Sequence, residues 1–171
     1  MIILERLAGI IDSINERVGQ LVSWVSFVLV IVVLIDVIMR YMFNSSYVFV
    51  QELEWHMFAF LFLLSAGYTL LYDQHVRVDL FYQQFSPKTK ALINLLGVIF
   101  FLLPGCYLII WVSIPWVITA YEIGEISPDP GGIPARFIVK AFVPIGFVLL
   151  MLQGVSLGIN SLKILLSPSC S

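Results

Sequence analysis

Four places along the chain bring together residue types that can do chemistry. Asp36 and Arg40 stand four apart, so they share one face of any helix that carries them, in the acid-before-base order that favours pairing. Glu52 and His56 have the same spacing, with Glu54 between them on another face. In the stretch LLYDQHVRVDLF, residues 70–81, His75, Arg77 and Asp79 alternate with Val76, Val78 and Leu80. Lys140 completes the set, following the motif GGIPAR that begins with Gly131 and Gly132. The chemistries these suggest are a proton or ion relay at Asp36 and Arg40, a proton-coupled carboxylate at Glu52 or Glu54, and a haem held by His56 and His75.

Each candidate has a plainer structural reading. An ion pair at Asp36 and Arg40 positions a helix end, because lone charges at membrane depth are costly and turn toward protein or water. Glu52 and Glu54 stand at the start of their apolar run rather than in its middle. Acids there complement the helix dipole, and one of them is expected to pair with Arg40 across the tight connection RYMFNSS, closing a hairpin. A bis-histidine haem needs its ligands at one level of a bundle, whereas His75 lies between apolar runs and His56 lies within one. Cys106 and Cys170 make neither a disulfide framework nor a metal knuckle. No G-x-S-x-G, H-E-x-x-H, Walker A or CxxC pattern occurs, so no motif supports enzyme activity, a metal site or a cofactor.

The elements that must position these residues follow from hydropathy. Of the 171 residues, 12% are charged and 60% hydrophobic, with a mean hydropathy of +1.00. Soluble domains carry about 25% charged residues, so there is too little polar surface here to coat a globule, and lipid is the expected outer solvent. The formal net charge of -2 provides no basic footprint for nucleic acid.

A membrane helix needs roughly 20 apolar residues to cross a core of about 30 Å. Four runs qualify: Val18 to Phe43, Phe49 to Tyr72, Ala91 to Tyr121 and Phe137 to Leu166. The third carries no charge and, at about 46 Å, must tilt, bend or project beyond the bilayer. Pro104 and Pro115 offer bend points within it. Ser86-Pro87 predicts an N-cap followed by proline at the first helical position, and SPDPGG predicts a turn inside a loop over 122–136. In residues 1–17, Leu4, Leu7, Ile11 and Ile14 recur at helical spacing while Glu5, Asp12, Glu16 and Arg17 fall largely opposite. The stretch reads as an amphipathic interfacial helix, or as a water-exposed extension of the first span, and not as a cleaved signal. The expected fold class is thus an all-α membrane protein: four transmembrane helices with an N-terminal amphipathic interfacial helix.

Four spans place both termini on one side. With cytoplasmic termini, that side and the loop 73–90 carry Arg6, Arg17, Arg77, Lys88, Lys90 and Lys163, against Arg40, Arg136 and Lys140 opposite. The excess of basic residues favours this orientation. Gly154 and Gly158 have small-xxx-small spacing in the fourth run, which lets helices approach closely, within the chain or against a partner. The Trp and Tyr residues read mostly as interfacial anchors. The 73–90 loop, with Arg77 flanked by apolar residues, reads as a docking loop at the interface.

RYMFNSS (40–46), QELEW (51–55), HVRVD (75–79) and GGIPARFIVK with FVPIGFVLLMLQ (131–153) together resemble the small, DctQ-like membrane subunit of the tripartite ATP-independent periplasmic (TRAP) transporters. The likeness runs over nearly the whole chain. Gln51 stands where that family often has an acid, and Ile133 where leucine is common. The resemblance implies a bacterial inner-membrane protein serving sodium-coupled uptake of organic acids such as C4-dicarboxylates, sialic acids, sugar acids and keto acids. The implied partners are a large DctM-like membrane subunit, which holds the substrate and sodium sites, a periplasmic DctP-like binding protein, and membrane lipid. The small subunit is expected to act as a scaffold with no catalysis and no cofactor of its own. Read from the residues alone, an electron-transfer anchor and an autonomous small proton-coupled exporter remain the competing classes.

Overall fold

The computed structural model describes residues 2–72 and 84–167, and among them the regular structure is entirely helical. Helix α1 runs Ile2–Met42 and α2 Val48–Leu71; α3 (Pro87–Gly97), a π-helical turn (Val98–Leu102) and α4 (Leu103–Glu122) follow as one rod, and α5 is Phe137–Leu166. Four rods, Ile3–Met42, Val48–Leu71, Pro87–Glu122 and Phe137–Leu166, are long and apolar enough to cross a membrane.

The opening amphipathic stretch and the first span form a single 41-residue helix, about 60 Å long at the helical rise. No proline interrupts Ile2–Met42, and two glycines alone do not break a helix that packs along its length. It ends where Asn44 turns left-handed at φ 51, a conformation asparagine tolerates, with the Ser45 N–H bonded to the Met39 carbonyl. Ser86 caps α3, its Oγ accepting from the Thr89 N–H at 3.2 Å, with Pro87 at the first helical position. The third rod changes its winding just before Pro104. A proline lacks the N–H for the turn below and crowds the carbonyl four residues back; the π turn, in which the Leu103 N–H bonds the Val98 carbonyl, inserts the extra residue that relieves this. Pro115 lies within α4.

Helix α5 is the centre of the bundle, packing on α1, α2, α3 and α4, while α1 and α2 also pack on each other. Its buried residues are Val139, Gly146, Gln153, Gly154, Ser156 and Ser161: small or polar, with one exception. On α1 the buried positions Ala8, Asn15, Val22 and Asp36 fall on a seven-residue spacing, the repeat of a helix seam. Large apolar side chains point outward instead, Trp24, Phe27, Phe101 and Trp111 among them. This is packing suited to lipid, where burying another leucine gains little and close backbone approach and hydrogen bonds hold helices together.

The glycines of α5 differ in what they allow. A Cβ at Gly146 would lie 2.5 Å from the Leu63 carbonyl oxygen of α2, a backbone atom that yields only if the helices separate. At Gly158 it would meet Val98 Cγ1 at 3.6 Å, ordinary contact. Gly154 is intermediate, 2.4 Å from the tip of Leu102. Gly146→Ala should therefore cost about 1–3 kcal/mol by overpacking, and Gly158→Ala less than about 0.5 kcal/mol. Thermal unfolding in detergent would read the difference, and equal effects would contradict this seam.

Candidate functional site: polar clamps between the helices

Two sets of polar side chains tie the bundle, one at each end. At the end bearing Arg40, the chain between α4 and α5 folds back on α2. Glu52 is buried, and its two oxygens have separate duties: Oε1 accepts from the Ser127 hydroxyl and Oε2 from the Ile133 N–H at 2.5 Å. Gly131, at φ +83, makes the turn, and a Cβ at Gly132 would strike Ser127 Oγ at 2.4 Å and Glu52 Oε2 at 2.7 Å. The Pro-Gly turn read from SPDPGG thus closes on a carboxylate of another helix. Alongside, Lys140 pairs with Glu125 and sits 4.5 Å above the Trp116 ring, and the Arg136 guanidinium lies 5.4 Å from the centre of Trp55.

Of the two acids expected to offer Arg40 a partner, Glu52 or Glu54, Glu52 is not paired with it. Arg40 reaches back one turn to the buried carboxylate of Asp36, and Glu52 is already occupied by the loop. Glu54 faces the α1 pair and interacts electrostatically with both Asp36 and Arg40. Its Oε1 is buried without a hydrogen-bond partner. His56 bonds through Nδ1 to the Glu52 carbonyl at 2.6 Å, and its Nε2 is buried and unpartnered. His75, Arg77 and Asp79 lie outside the described residues.

At the other end, Asp12 Oδ1 accepts from both Gln153 Nε2 at 2.9 Å and Ser156 Oγ at 2.7 Å. Gln153 Oε1 in turn accepts from Asn15 Nδ2 at 2.9 Å. Asn15 and Ser156 are fully enclosed. Asn15 needs Gly67 opposite it, since a Cβ there would fall 2.1 Å from Asn15 Oδ1. One network thus locks α1 to α5 and presses on α2. Further out, Tyr72 donates to Glu16 Oε2 at 2.5 Å and Lys163 pairs with Glu5 at 2.8 Å.

Asp12, expected on the water face of an amphipathic helix, faces inward instead, and Asn15, Gln153 and Ser156 have no part in the expectations drawn from the sequence. The available signals were their spacing: Asp12 and Asn15 stand three apart, as do Gln153 and Ser156 inside an apolar run, so each pair shares a helix face.

The Glu16 carboxylate holds the Tyr72 hydroxyl proton, pushing its pKa from 10.0 up to about 12. A folded-state pKa raised in this way means the contribution is complete below pH 10 and lost as pH rises through about 12. Ultraviolet titration of the folded protein should show a late-ionising tyrosine that ionises at lower pH in Glu16→Ala; an unchanged curve would contradict the contact.

Among the described residues no group of three or more His, Cys, Asp or Glu could hold a metal ion. Asp12, Asn15, Glu52, Gln153 and Ser156 are spent on joining elements of the bundle, and large apolar side chains cover much of the outer surface. No curated protein and no solved structure matches the chain. A family profile does: residues 29–163, well over half the chain, match the one described as "Tripartite ATP-independent periplasmic transporters, DctQ component", a transporter-component family rather than an enzyme family. The match covers Asp36, Arg40, Glu52 and the α5 seam, and a multi-pass helical bundle is what such a membrane component requires. The chain therefore belongs to the DctQ family and is a TRAP-transporter small membrane subunit.

Proposed function

We propose that this chain is a non-transporting scaffold in a sodium-coupled importer of organic acids, holding a large DctM-like subunit in place while that subunit moves substrate delivered by a DctP-like periplasmic protein. One observation chiefly supports the reading: the buried Asn15, Glu52, Gln153 and Ser156, with Asp12, join α1, α2, α5 and the 123–136 segment to one another. A subunit that moved substrate would need such groups free at mid-membrane, typically at broken helices. Two polar clamps at opposite ends suit a body that stays rigid beside a moving partner.

The chain lies in the bacterial inner membrane with cytoplasmic termini, because six basic residues then fall on the cytoplasmic side and three opposite. The loop containing His75, Arg77 and Asp79 docks the partner at the membrane surface. Reversing one charge, Arg77→Glu, should weaken co-purification of the large subunit roughly tenfold, the scale of a lost charged contact. Full recovery of the complex would remove the loop from the interface. For the function itself, proteoliposomes holding this chain, the large subunit and the binding protein should take up labelled organic acids under an inward sodium gradient. Uptake of equal rate without sodium would refute the coupling.

A further inference from the structure

Helices α2 and α4 both pack on α5 without packing on each other, so a groove floored by α5 opens between them. At its mouth, a pocket of about 430 Å³ is lined by Trp55, Trp116, Glu125, Arg136, Lys140 and Leu63, among others. Leu63 also borders a second, apolar pocket of about 270 Å³ that continues down the α2–α5 seam past Ala66, Gly146, Phe147 and Leu150. The two form one track, charged at the mouth and apolar below.

We propose that this track is a binding site for one membrane phospholipid, its phosphodiester held by Arg136 and Lys140 and one acyl chain laid along the α2–α5 seam. Charge and dimensions both point to that occupant. Lys140 is shared with Glu125, whereas Arg136 has no carboxylate within ion-pair distance among the described residues; Glu52 acts on it only at longer range, with both oxygens bonded to the loop. A guanidinium is the side chain best shaped to bind a phosphate through two parallel hydrogen bonds. The indoles of Trp55 and Trp116 flank the cations, as tryptophans do at headgroup level. From Lys140 to Leu150 is ten residues, about 15 Å along the helix, which is half of a hydrocarbon core of about 30 Å. A free anion would use the mouth alone, and an acidic protein segment would leave the apolar track unfilled.

The test is to purify the full chain in mild detergent, measure bound phospholipid by native mass spectrometry and phosphorus assay, then delipidate and re-add phosphatidylglycerol vesicles or inorganic phosphate. The wild type should retain about one lipid and gain thermal stability on re-addition. The double variant R136Q/K140Q should retain it about tenfold less, the scale of losing a charge-assisted contact. Because Lys140→Gln also breaks the Glu125 pair, Ala66→Phe provides a second probe: it blocks the track and leaves both cations in place, and it should lose lipid equally while its delipidated form melts like the delipidated wild type. No retained lipid in the wild type, or equal retention in both variants, would overturn the proposal. So would stabilisation by inorganic phosphate equal to that by the vesicles, or a mouth occupied only when a periplasmic binding protein is added.

Discussion

Replacing Glu52 by alanine should release the segment that joins α4 to α5. The Ser127 hydroxyl and the Ile133 N–H both donate to this one side chain, so its removal takes the acceptor from two donors at once. An unmet donor costs more than the net value of the bond it made. The expected result is a melting temperature lower by roughly 5–10 °C, with faster proteolysis between residues 123 and 136 while the helices stay intact. Glu52→Gln separates charge from geometry. Its amide retains one accepting oxygen where the loop uses two, so it should fall between wild type and Glu52→Ala. A Gln variant as stable as the wild type would show that one of the two contacts does not hold the loop.

The second large effect is expected at the other end of the bundle, with a different pattern. Asp12→Ala leaves Gln153 Nε2 and buried Ser156 Oγ without their acceptor, which should cost about 2–4 kcal/mol. Both donors use the same oxygen, Oδ1. Asp12→Asn keeps an oxygen in that place and should therefore cost less than about 1 kcal/mol. An amide is thus tolerated at position 12 and harmful at 52, because one carboxylate works through a single oxygen and the other through both. Denaturation of the four variants side by side checks this, and equal tolerance at the two positions would undo the distinction.

How far the fold could be read from the sequence depended on which residues carried it. The spans follow from hydropathy, which measures what lipid demands of the outside of each helix. The Ser86 cap and the Pro-Gly turn were legible because their geometry is local. The clamps were not, since they join residues 75 to 144 positions apart, and single-chain spacing says only which face a residue occupies. In water Asp12 and Glu16 belong on the outer face of an amphipathic helix. Here the outer face is greasy, and Asp12 turns inward to Gln153 and Ser156. Arg40 illustrates the same point: a partner four residues back on its own helix, Asp36, is reached without ordering a second helix, and Glu52 finds two donors in a loop whose approach the sequence does not reveal.

Gly146 and Gly158 look alike in sequence, each a small residue in an apolar run. Only the first faces a neighbouring backbone, at a distance that excludes even a methyl group. The rigidity implied by that contact, and by the two clamps, underlies the scaffold reading.

That reading is tested most directly by what accompanies the chain out of its native membrane. A tagged copy should be recovered in mild detergent and its companions identified and counted by mass spectrometry. A large polytopic membrane subunit should accompany it in stoichiometric amount, with or without a periplasmic solute-binding protein. Recovery of the chain alone, or with a soluble redox subunit and a haem absorption band, would contradict it.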